Sequence, residues 1–144
     1  MLTRIHEAVG IAVLGSNAVA AAWGGVAWAR GDPSRVFWYL LRLAQAVVVA
    51  EAVIGVVLAA QGRHADAIHY VYGISPLVVS FVCEGARITV ASAEVARVED
   101  AESLDRRERI LMARRIVLRE IGVMTIGAIL IVTLGLRAVA TGGG

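Results

Sequence analysis

Long apolar runs alternate with short polar breaks along this chain. Four runs stand out, covering about residues 5–29, 36–60, 68–90 and 116–140. Each is near the ~20 residues that let a helix cross about 30 Å of hydrocarbon. Lipid offers no partners to open backbone groups, so each run is expected to be helical. Short strands of alternating apolar and polar residues are absent, which excludes a membrane barrel. The pattern predicts an all-α fold, an up-down four-helix transmembrane bundle, forming one integral membrane domain over residues 1–144.

The breaks place the connections. Gly31-Asp32-Pro33-Ser34 is a turn between the first two helices, and Gln61 to Asp66 joins the second to the third. Residues 91–115 are polar, rich in Ala, Glu and Arg, and free of Gly and Pro, so they are expected to be helical outside the membrane. The third helix is expected to continue to about Arg97, and a further piece to start near Asp105 with Ser103 as its cap. The stretch Asp105–Ile116 is basic and amphipathic. It is read either as a helix resting on anionic lipid or as a solvated continuation of the fourth helix.

Charge orients the bundle. All 14 basic residues are arginine. Eleven of them (Arg30, Arg35, Arg42, Arg87, Arg97, Arg106, Arg107, Arg109, Arg114, Arg115 and Arg119) fall on one side, and Arg4, Arg63 and Arg137 on the other. The positive-inside rule puts the first group in the cytoplasm and both termini outside a bacterial plasma membrane. Trp28, Trp38 and Tyr39 then mark the inner interface, and Tyr70 and Tyr72 the outer one. The answering arginines after the first run speak against reading it as a cleaved signal peptide. A composition of 58% apolar residues agrees with a membrane solvent. The excess of Ala, Val, Gly and Arg fits a GC-rich genome, such as an actinobacterial one. The net charge of +2 gives no nucleic-acid face. The single Cys83 lies in an apolar run, where it reads as a core residue. The lipid bilayer is the expected partner, with a homodimer or larger membrane complex left open.

A duplication carries the chemistry. Residues 5–11 read Ile-His-Glu-Ala-Val-Gly-Ile, and residues 68–74 read Ile-His-Tyr-Val-Tyr-Gly-Ile, an offset of 63. Asn17 and Ser80 repeat the same offset. Both copies open a helix on the same side, so the first and third helices run parallel and sit diagonally in the bundle. This points to an internal two-fold repeat of helix pairs. At 100° per residue, His6, Gly10, Val13, Asn17, Ala20 and Gly24 share one stripe, as do His69, Gly73, Pro76, Ser80 and Arg87. Small and polar stripes belong in a bundle interior. Pro76 lacks an N–H and is expected to kink the third helix.

Two imidazoles facing one another can hold a haem iron. A glycine one turn on from each histidine, Gly10 and Gly73, leaves room for the flat ring. Arg4 and Arg63 lie at the level of the propionates, and Tyr70 or Tyr72 is a further donor. The helix-start motifs and the four-helix layout, though not the whole chain, resemble the membrane b-type cytochromes, in which paired histidines clamp haem between helices. The resemblance implies one haem b near the outer face, on His6 and His69, with a redox, haem-sensing or respiratory-complex role. Three histidines exclude a second bis-histidine haem, so a complete transmembrane electron path would need a quinone or partner.

Other readings stand beside it. His6, Glu7, His64, Asp66 and His69 are ligand types for an outer zinc or copper ion. A cofactor-free subunit or small transporter would instead use Glu51, deep in the second helix, for protons or cations, or as a polar contact to Asn17 or Thr125. Arg42, Gln45, Glu84, Arg87, Arg119 and Glu120 are expected to meet near the inner interface, either locking the helices or holding an anionic group. No phosphate-cradling loop, Ser/His/Asp order, HExxH or paired-cysteine motif is present, so no catalytic residue is assigned.

Overall fold

The computed structural model describes residues 1–63, 66–98 and 104–141. They form four helices: α1 (Leu2–Arg30), α2 (Arg35–Ala60), α3 (Ala67–Ala96) and α4 (Arg106–Thr141). All four are long and apolar enough to cross a membrane, and no strand occurs among the described residues.

The helix ends follow from local chemistry. Gly31 and Gly62 take the left-handed conformation, with φ of 63° and 78°. Each closes its helix with the same pair of bonds. Gly31 N donates to Trp28 O and Asp32 N to Ala27 O, while Gly62 N donates to Ala59 O and Arg63 N to Leu58 O. Ser34 caps α2 by accepting from Phe37 N, and its hydroxyl also accepts from Trp23 Nε1 at 2.8 Å.

The polar segment between the third and fourth runs divides close to the expected positions, near Arg97 and Asp105. Residues through Ala96 belong to α3, and residues from Arg106 onward belong to α4, which runs unbroken into its apolar part. The reciprocal pair of Asp105 and Glu108 starts α4: Glu108 N donates to Asp105 Oδ1 at 2.8 Å and Asp105 N to Glu108 Oε2 at 3.0 Å. Ser103, the expected cap, lies outside the described residues.

The helices pack as an up-down bundle. α1 lies against α2 and α4, and α4 also packs along α3. The α2–α3 seam is sparse, and the α1 and α3 backbones do not approach one another. The α1 stripe is buried as the 3.6-residue period requires, at Val13, Asn17, Ala20, Gly24 and Ala27. On α3 only Pro76 and Glu94 are fully buried, and Gly73 faces outward. α3 continues as helix through Pro76.

Two apolar clusters fill the bundle. Ala27, Phe37, Leu41, Ile121 and Met124 form one, with Trp38 and Cys83 against it. Val13, Val48 and Ile131 form the other. Outside, Ile11, Val26, Val53, Phe81, Val82 and Ile129 are at least half exposed. So much apolar surface suits lipid rather than water.

Gly24 sets the closest crossing. A Cβ there would overlap Thr125 Oγ1 and stand 2.5 Å from Phe37 Cε2, so α1 meets α2 and α4 where only hydrogen fits. Gly24→Ala is therefore expected to destabilise the bundle by about 1–3 kcal/mol, the usual cost of overpacking. Thermal unfolding in detergent should show a lower midpoint than wild type. Gly25→Ala, with nothing within 4 Å of the added carbon, should not lower it. Equal midpoints for the two variants would contradict this packing.

Candidate functional site

The repeat motifs meet. His6 near the start of α1 and His69 near the start of α3 lie with ring centres 6.0 Å apart and planes at 68°. Because each sits in the first turns of its helix, α1 and α3 run the same way. The two rings close a gap that their backbones leave open.

A third group joins them from α2. Glu51 Oε1 lies 3.1 Å from His6 Nδ1, with both side chains about one-fifth exposed. The contact is close, but its angle is not that of a hydrogen bond. His6 Nδ1 and Glu51 Oε2 are both buried without a hydrogen-bond partner among the described residues. Glu51 thus reaches His6, and the polar contact to Asn17 or Thr125, one of the two readings of this residue, is not made.

Gly10 explains how the carboxylate gets there. A Cβ on Gly10 would stand 3.1 Å from Glu51 Oε1, tighter than side chains normally allow. The space beside Gly10, expected to admit a flat ring, is taken by Glu51. Gly73 does adjoin open space, with nothing within 4 Å of a Cβ built on it. Gly55 on α2 faces the His6 ring, its virtual Cβ 3.7 Å from His6 Cε1.

The surrounding candidates fall into two groups. Arg63 Nη1 donates to Thr3 Oγ1 at 3.2 Å, which ties the α2–α3 turn to the start of α1, at the residue preceding Arg4. Tyr70 stacks edge-on against His69, with ring centres 6.5 Å apart. Asn17 and Ser80 instead bond within their own helices: Asn17 Nδ2 donates to Val13 O at 2.8 Å and Ser80 Oγ to Pro76 O at 2.9 Å. These four positions keep the offset of 63, so the duplicated halves repeat a bond as well as a motif.

Of the outer metal-ligand candidates, Glu7 and Asp66 are exposed, and His64 lies outside the described residues. Among the described residues no group of three or more His, Cys, Asp or Glu side chains is placed to hold a metal ion.

The opposite end of the bundle holds the arginine network. Arg42 Nη1 donates at 2.6 Å to both Gln45 Oε1 and Glu84 Oε1, and Gln45 Nε2 donates to Glu84 Oε1 at 2.9 Å. Arg87 grips Glu84 Oε2 through Nε at 3.0 Å and Nη2 at 2.9 Å, and its Nη1 reaches Glu120 Oε1 at 3.2 Å. Its guanidinium also lies 5.4 Å from the centre of the Trp38 ring. Two cations and two carboxylates from three helices thus balance one another.

Arg119 does not join them. It pairs at 3.1 Å with Glu94, which is 7% exposed and also meets Arg115 and Arg97. Arg115 and Arg119 sit four residues apart, on one helical face. That spacing was the available sign that a carboxylate must face them.

Arg87 links the two carboxylates of the network: its loss takes from Glu120 its cation and leaves Glu84 with Arg42 and Gln45. Arg87→Gln should cost about 1–3 kcal/mol, between an exposed pair and a fully buried one. Arg42→Gln, whose side chain is 52% exposed, should cost less than about 1 kcal/mol. Unfolding midpoints in detergent measure both, and a costlier loss at Arg42 would contradict the geometry.

No family model matches this chain, nor does any curated protein or solved structure.

Proposed function

We propose that this chain is a multi-pass protein of a bacterial plasma membrane that holds one b-type haem between His6 and His69. Its arginine-rich end faces the cytoplasm, and both termini face outward. Its role is redox transfer, haem sensing or support of a respiratory complex.

The observation that carries the reading is the meeting of the two imidazoles at 6.0 Å. That is roughly the span of two metal–nitrogen bonds of about 2 Å plus ~1 Å from each nitrogen to its ring centre. Two imidazoles converge here, and among the described residues no group of three or more His, Cys, Asp or Glu side chains is placed to hold a metal ion. A bare zinc ion asks for four ligands, whereas a haem iron brings four nitrogens and asks for two.

The chain's own residues have distinct tasks in this reading. Glu51 Oε1, 3.1 Å from His6 Nδ1, occupies that side of the ring and leaves Nε2 as the ligand nitrogen. His69 supplies the second imidazole. The open space at Gly73 and the sparse α2–α3 seam give access on the side that Glu51 does not fill. Arg63, tied to Thr3, and Arg4 provide cations at the aqueous edge. When bound, a haem iron supplies one-electron oxidation and reduction.

A second reading draws on the unpartnered Glu51 Oε2 and His6 Nδ1. In a cofactor-free transporter, this pair would carry a proton or cation.

The visible spectrum of protein produced with haem supplied separates the two. A Soret band is expected that disappears in His6→Ala and in His69→Ala. Glu51→Gln should keep the band but weaken haem affinity about 10–100-fold, the usual effect of losing a ligand's supporting carboxylate. A colourless wild-type protein would refute the haem reading. Proton-coupled flux lost in Glu51→Gln would then favour the second.

A further inference from the structure

The α1–α2 turn carries a second recess, remote from the histidines. A groove of about 450 Å³ runs along the outer face of α1 at the arginine-rich end. Its wall is Val19, Ala22, Trp23 and Val26, and its mouth is Arg30 and Asp32. Ala22 makes the recess, since a larger side chain there would fill it. Trp23 forms one flank and is held by the bond from its Nε1 to Ser34 Oγ.

Cations from two distant parts of the chain gather around the α1–α2 turn, whose Arg30 and Asp32 line the mouth. Arg30 and Arg35 flank the turn, are exposed, and form no ion pair among the described residues. Arg114 arrives from α4, donating to Gly31 O through Nη2 at 2.8 Å and Nε at 3.3 Å. Against these three guanidinium groups the turn offers one carboxylate, Asp32. The arginine network deeper in the bundle is charge-balanced, whereas this mouth has two cations in excess.

An apolar wall parallel to the helix axis, ending in uncompensated arginines at the interface, matches one kind of molecule. We infer that the groove binds an anionic phospholipid of the leaflet at the arginine-rich end. One acyl chain lies along Val19, Ala22 and Val26, and the phosphate sits among Arg30, Arg35 and Arg114. Guanidinium groups suit phosphate oxygens because they offer paired donors in one plane. Anionic headgroups at the membrane surface add a long-range attraction. The inference is independent of haem, since no histidine or Glu51 takes part.

The test uses the full-length protein in nanodiscs of phosphatidylcholine containing a minority of phosphatidylglycerol. Native mass spectrometry after detergent release counts the lipid that stays bound. Wild type should retain phosphatidylglycerol in preference to phosphatidylcholine. Arg30→Gln combined with Arg35→Gln should reduce that retention at least fivefold. Arg106→Gln combined with Arg107→Gln removes the same charge from the exposed start of α4 and should leave retention unchanged. Ala22→Trp, which fills the groove without altering charge, should also reduce it. Equal retention of the two lipids by wild type would overturn the inference. So would equal loss in the Arg106/Arg107 pair, or full retention in Ala22→Trp. Cross-linking that finds the groove covered by a second copy of the chain would overturn it as well.

Discussion

Lipid cannot hydrate a polar side chain, and this single constraint arranges the polar groups of the bundle. Each polar group in a span must find a partner on another helix, or turn back on its own backbone. Asn17 and Ser80 take the second course. His6, Glu51 and His69 take the first at one end of the bundle, and Arg42, Glu84, Arg87 and Glu120 do so at the other. Between the two polar layers lies the apolar cluster around Val48, while the cluster around Phe37 packs beside the arginine network. The layers fix how each helix is rotated, and the small residues of α1 fix how closely it approaches its neighbours.

The duplication is only partly kept in three dimensions. A two-fold operation exchanging α1 with α3 and α2 with α4 would make the α1–α4 and α2–α3 seams equivalent. The first is tightly packed and the second is sparse. Gly10 and Gly73 diverge in the same way: one admits a carboxylate, and the other borders open space. Among the described residues only the α1 histidine has a carboxylate companion, since the position 63 residues after Glu51 is Arg114, at the arginine-rich end of α4. The two imidazoles are therefore alike in motif and unlike in surroundings. A ligand held between them would meet a ring with a carboxylate beside it on one side and a ring bordering open space on the other.

Much of this architecture was legible in the residues. The first two apolar runs match α1 and α2 to within a few positions, and the third and fourth lie inside the longer α3 and α4, because span length and hydropathy are properties of consecutive residues. The α1 stripe was legible because it obeys one period within one helix. The closeness of His6 to His69 followed from the repeat offset. What eluded the pattern were pairings that depend on the rotation and depth of two different helices. Glu51, in one of its two readings a contact to Asn17 or Thr125, meets His6. Arg119 was expected in the inner network and meets Glu94. Arg114 reaches a carbonyl 83 residues away.

The central claim is that His6 and His69 together form one axial pair. Electron paramagnetic resonance of the ferric, haem-loaded protein tests it most directly, because the spin state reports how many strong axial ligands the iron has. The account predicts a low-spin, six-coordinate signal in wild type that turns high-spin in His69→Ala. A high-spin signal in wild type, or a low-spin signal unchanged in His69→Ala, would contradict it.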